Sequence, residues 1–76
     1  MAKTIDRFKT VDGQTVTLVA ANVFAVVFSK METDVHKDVL PDGASIYEVI
    51  STGGYSQLVV QRAGESIEAY ITEALE

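Results

Sequence analysis

The hydrophobic residues of the chain keep two rhythms. Through residue 61 they come in short alternating or continuous blocks, the pattern of strands. After residue 65 they recur every three or four positions, the pattern of a helix facing a core. The most apolar block is Val23-Phe24-Ala25-Val26-Val27-Phe28, hydrophobic at every position and rich in β-branched and aromatic side chains. Such a block reads as a strand. Side chains alternate across a strand, so Val23, Ala25 and Val27 face one way and Phe24, Val26 and Phe28 the other. With both faces apolar, its expected place is the centre of a covered sheet. A helix capped by Asn22 is the competing reading, disfavoured by the β-branched Val23, Val26 and Val27.

Two hairpins accompany this block. The first joins residues 3–10 to residues 15–20 around Asp12-Gly13. A two-residue loop would set Arg7 and Lys9 beside Val16 and Leu18. A three-residue loop over residues 11–13, with Gly13 in the left-handed region, sets Phe8 beside Val16, and Lys9 and Arg7 beside Thr15 and Thr17. The hydrophobic pattern favours the longer loop, because a one-residue slip exchanges the faces. Lys3, Arg7 and Lys9 suit an edge strand, where charge discourages aggregation. Ala21-Asn22 then interrupts the pattern with a tight turn or bulge.

The second hairpin joins residues 45–51 to residues 55–61 at Gly53-Gly54. A two-residue loop pairs Val49 with Leu58 and Tyr47 with Val60. It leaves Ile46, Ile50 and Val59 on the opposite face among Glu48, Gln57 and Gln61. Residues 65–75 form the last element, a helix in which Ile67, Tyr70, Ile71, Ala74 and Leu75 make one apolar stripe and Gly64 or Ser66 is the N-cap. The expected fold is one α+β domain spanning residues 1–76. It is a small, mostly antiparallel sheet of about five strands, two hairpins plus the central apolar strand, with the C-terminal helix packed on one face. Residues 31–44 are a polar connection, long enough for a functional or mobile loop, with Val35, Val39 and Leu40 available to pin it.

Size sharpens this picture. A chain of 76 residues buries only roughly 60% of its unfolded surface. There is no cysteine, which excludes disulfides, thiolate metal sites and cysteine nucleophiles. Yet 47% of the residues are hydrophobic, a high share for so small a core. One short helix covers one face of the sheet. The other face, with Ile46, Ile50 and Val59 and half of the central strand (Phe24, Val26, Phe28), is left open. A curled sheet or a folded-back loop could close it, but a second copy packed as a two-fold dimer is the favoured solution.

Charge and candidate chemistry narrow the function. A net charge of −5 argues against phosphate-backbone binding, which rests on Lys and Arg. Phe8, Tyr47 and Tyr55 lack the interleaved cations of a base-stacking platform. Nucleic acid is therefore not the expected partner. No apolar run approaches the ~20 residues of a membrane span, and residues 1–9 carry no apolar secretory core, so a cytoplasmic placement away from membranes is expected. Asp34-x-His36-x-Asp38, with Glu32 and Asp42 nearby, would put mixed carboxylate and imidazole ligands on one side of an extended segment. It lacks the glycine and terminal glutamate of a calcium loop, and one histidine cannot supply the usual zinc sets. A solvated charged loop is the simpler reading. No serine stands in a nucleophile turn, so neither an enzyme nor a bound cofactor is expected. Thr52-Gly53-Gly54 is a hairpin turn, not a phosphate loop.

The C-terminal helix carries Glu65 and Glu68 at its favoured end and Glu73 and Glu76 where the helix dipole opposes them, with no Lys or Arg between. Solubility explains such charges simply. Together with Asp34 and Asp38 they would alternatively form an acidic surface for a basic protein partner. The expected function is a small non-catalytic interaction module acting as a homo-oligomer. The alternatives are an acidic inhibitor occupying a nucleic-acid-binding site on its target, and small-ligand or metal binding at a subunit interface or at residues 31–44.

Overall fold

A computed structural model describes residues 3–76. Five strands, β1 (Thr4–Lys9), β2 (Thr15–Val19), β3 (Val23–Phe28), β4 (Ser45–Ser51) and β5 (Ser56–Gln61), are joined by two helices, α1 (Lys30–Val35) and α2 (Ile67–Leu75). All pairings are antiparallel, and the strand order is β2-β1-β5-β4-β3. The fold is thus the expected α+β sheet with a C-terminal helix.

The β1–β2 hairpin adopts the three-residue loop. Phe8 sits opposite Val16 and Lys9 opposite Thr15, Thr10 and Gln14 close the loop, and Gly13 supplies the required positive φ of 87°. Further along, Ile5 pairs with Leu18, so β1 carries one extra residue between Ile5 and Phe8. That bulge turns both Ile5 and Phe8 inward although three positions separate them. The β4–β5 register differs from expectation by one residue. Tyr47 faces Val59 and Ile46 faces Val60, because the loop is Thr52-Gly53-Gly54, closed by Ser51 and Tyr55, rather than Gly53-Gly54 alone. Val59 therefore joins Tyr47 and Val49 on one face, and Leu58 and Val60 go to the other.

The apolar block is not central. β3 pairs only with β4 and forms an edge of the sheet. The reason is topological: β5 returns beside β4 through a tight hairpin and fills its other side, and the β1–β2 hairpin then adds to β5, where Lys9 meets Val60. β2 and β3 end up on opposite edges, yet only a three-residue 3₁₀ turn, Ala20–Asn22, connects them. Four Cα steps reach at most about 15 Å, so the sheet coils until its edges converge at this turn.

Coiling makes one face concave, and that face holds the core. Ile5, Phe8, Val16, Leu18, Ala20, Val49 and Val59 cluster there with Ile67 and Ile71 of α2. Helix α2 starts at Ile67, two residues later than expected, because Gly64 (φ 82°) turns the chain and Ser66 is the N-cap, its hydroxyl accepting from the Ala69 N–H. The Gln61 side-chain carbonyl accepts from the Ile67 N–H at 3.0 Å, fastening the helix start to β5. Of the expected apolar stripe, Leu75 alone stays open, at 59% exposure.

Residues 31–44 are not one loop. Ser29 accepts from the Glu32 N–H and caps α1, and Lys30–Asp34 and Glu32–His36 pair one turn apart. The Thr33 hydroxyl donates to the Ser29 carbonyl (2.6 Å) and accepts from the Ile46 N–H (2.9 Å), so it stands in for a strand residue beside β4. Gly43, with φ 80°, lies so close to Ala63 that an added Cβ would sit 2.8 Å from that residue's Cβ. Thr33, half-buried Leu40 and Gly43 hold the segment down, whereas Val35 and Val39 are each 68% exposed.

Candidate interaction surface

Burial separates the six residues expected at an oligomer interface. Ile46 and Val59 are fully buried within the single chain and present nothing to a partner. The slipped β4–β5 register places Val59 in the core, and α1 packs beside Ile46. Ile50 and Val26 are half-buried, while Phe24 and Phe28 are open. The open apolar surface along the sheet therefore centres on the β3 edge, with Val27 and Leu58 half-open on the face opposite the helix.

The geometry of β3 follows from its sequence. Phe24 occupies a bulge, since Val23 faces Ser51 and Ala25 already faces Ile50. The bulge aims Val23 and Val26 at the core and pushes Phe24 out to 78% exposure. Beyond it, Ala25, Val26, Val27 and Phe28 run in register against Ile50, Val49, Glu48 and Tyr47. The Ser29 N–H donates to the Ile46 carbonyl. Hydrogen-bonded pairs alternate in an antiparallel ladder, so Val27 and Ala25 direct their backbone groups toward β4. Val26 and Phe28 then turn their N–H and C=O groups to the open side. Val27 and Phe28 are 48% and 49% exposed, and the Phe28 ring leans edge-on against Tyr47 with centroids 5.6 Å apart. No charged residue or proline lies within Val23–Phe28, so beyond the bulge at Phe24 the in-register residues 25–28 carry none of the charge that usually guards an edge strand.

The other candidates are dispersed. Asp34 lies in α1, paired to Lys30 at 3.2 Å, and His36 ends the helix with its Nε2 3.3 Å from Glu32. Helical spacing turns Asp34 and His36 to different sides, and among the described residues no three His, Asp or Glu side chains converge as metal ligands. The carboxylates divide between α1, which packs on β4, and α2, which packs on β1, β3 and the 3₁₀ turn. Cations interrupt them. Arg62 holds Glu65 through two hydrogen bonds of 3.1 and 3.2 Å. That hydrogen bonding, aided by the guanidinium charge, holds the Glu65 carboxyl below its ordinary range and raises Arg62.

A cavity of about 210 Å3 escaped the sequence reading. It is lined by Val39, Leu40 and Pro41, by Phe8 and Val60 of the β1–β5 seam, and by Arg7, Lys9 and Arg62. Arg7 also lies over the Tyr70 ring at 4.1 Å. The alternating charges of β1 were the only trace of it in the sequence. Comparison with protein-family models, curated proteins and solved structures finds no match.

Proposed function

We propose that the protein is a small non-catalytic interaction module of the cytoplasm that works as a homo-oligomer, most simply a dimer. The observation that carries this reading is the apolar β3 edge, with Phe24 at 78% exposure and Phe28 at 49%. Large hydrophobic side chains grouped on one surface are characteristic of association sites. The carboxylates Glu68, Glu73 and Glu76 are left as the surface that a basic partner would meet. Light scattering coupled to size exclusion, across a concentration series, tests the reading: a mass of two chains or more supports it, and one chain mass at every concentration rejects it.

A second reading is favoured by the cavity under residues 39–41. Arg7, Lys9 and Arg62 line it with Phe8 and Val60; Arg62 is held by Glu65 and Arg7 lies over Tyr70, so Lys9 is the cation left for a small ligand with an apolar body and one carboxylate. Benzoate titrated into labelled protein should then shift the Lys9 and Val60 amides, and unshifted amides at millimolar benzoate would dispose of this site.

A further inference from the structure

We infer that the occupant of the β3 edge is β3 of a second copy, added antiparallel about a two-fold axis at Val27, so that two five-stranded sheets become one. This deepens the homo-oligomer reading and rests on it. The backbone supplies the first reason. Val26 and Phe28 carry the outward N–H and C=O groups, two positions apart. A two-fold axis at Val27 sets Val26 of each copy opposite Phe28 of the other, so each exchanges both hydrogen bonds with its opposite number. An axis at Val26 would instead match Phe28 with bulged Phe24, whose backbone does not continue the ladder.

The side chains agree with that register. Phe28 of one copy falls beside Val26 of the other, an aromatic–β-branched pair of the kind that stabilises sheets. Val27 falls beside its own symmetry mate. Symmetry places like next to like, which penalises a charged edge, but Val23–Phe28 contains no charge. The chain carries net −5, and none of that charge lies within β3 itself. The two-fold pairing also places a half-exposed Phe28 at each end of the new ladder, against Tyr47 of its own sheet. Six residues of edge are small against the roughly 1,200–2,000 Å2 of a standard interface, so dissociation in the micromolar range or weaker is expected.

The lack of cysteine makes the test clean. In this register the two Val27 residues form a non-hydrogen-bonded pair, whose Cα separation of about 4.5 Å falls within disulfide reach. Val27→Cys should oxidise to a covalent dimer under mild oxidant, at least tenfold faster than Tyr55→Cys, a control thiol at the exposed hairpin tip. Val27→Lys should in parallel lower the native mass to one chain without loss of secondary structure by circular dichroism. A two-chain mass with no preferential Val27→Cys crosslink overturns the edge pairing while leaving the homo-oligomer standing. One chain mass at all concentrations overturns both.

Discussion

β2 and β3 are both edge strands, each with a single strand neighbour, and they solve the edge problem in opposite ways. β2 reads Thr-Val-Thr-Leu-Val: Val16 and Leu18 are 4% and 3% exposed, and Thr15 and Thr17 face water. β3 reads Val-Phe-Ala-Val-Val-Phe, places Val23 and Val26 against the core, and has only hydrophobic side chains left for its other positions. Alternation lets an edge strand satisfy both its faces within one chain. A strand without alternation, placed at an edge, keeps apolar surface open unless another element covers it. The single chain thus has one finished edge and one unfinished edge.

The sharpest way to break this contrast is to truncate one side chain on each strand. Leu18→Ala should cost about 2–5 kcal/mol, as buried leucines do. Phe24→Ala should change the stability of the dissociated chain by no more than about 0.5 kcal/mol. Urea unfolding at low protein concentration measures both. A cost for Phe24→Ala approaching that of Leu18→Ala would mean that β3 is as finished as β2. Next in size is the junction where β3 leaves the sheet. Thr33→Val keeps the side-chain shape but leaves the Ile46 N–H without its acceptor, at a cost of about 1–3 kcal/mol. Thr33→Ser should recover most of it, and equal losses in the two variants would count against the hydroxyl's role.

Much of this was legible in the sequence, and the failures have physical causes. The Asp12-Gly13 loop could be settled because only one register hides Phe8 and Val16 together. Thr52-Gly53-Gly54 could not, because both faces of β4 and β5 mix apolar and polar residues, so the hydrophobic pattern does not punish a one-residue slip. The block Val23–Phe28 announced a strand, but apolarity on two faces does not distinguish burial within a chain from burial against another. Strand order decides that, and it depends on pairings such as Lys9 with Val60 that leave no local mark. Helix α1 did leave one: Ser29 followed by Glu32 is a capping pattern, hidden by its position directly after a strand. Asp34, His36 and Asp38 share a side only in an extended segment, and helix α1, with Asp34 inside it and His36 at its end, removes that premise. Ile46 and Val59 were misplaced by the same register slip and by the unseen helix.

The comparison can also be sharpened by making the finished edge resemble the unfinished one. Thr15→Val with Thr17→Val removes the outward hydroxyls of β2 and gives it a second apolar face. The stability of the chain should move by less than about 1 kcal/mol, since both positions are exposed. Self-association should rise above that of the parent, seen as a higher scattering mass at equal concentration. An unchanged mass would show that outward polarity is not what keeps β2 apart.

The smallest expected effect concerns a charge pair near neither edge, and it serves as the baseline for both. Arg62 and Glu65 fasten the turn between β5 and α2. Hydrogen bonding from Arg62 lowers the Glu65 carboxyl in the folded chain, so the unfolded chain binds that proton more readily. The stabilisation is therefore present above the ordinary carboxylate pKa and disappears as pH falls through the lower folded value. Arg62 is 61% exposed, so solvent screens the pair and the contribution is small. Arg62→Ala should lower Tm slightly at neutral pH, and the gap to the parent should close once Glu65 is protonated in both. Because the pair lies away from β2 and β3, the variant should leave the scattering mass untouched. A loss of mass with Arg62→Ala would mean that association runs through the α2 end of the molecule, and the contrast between the two edges would lose its bearing on assembly.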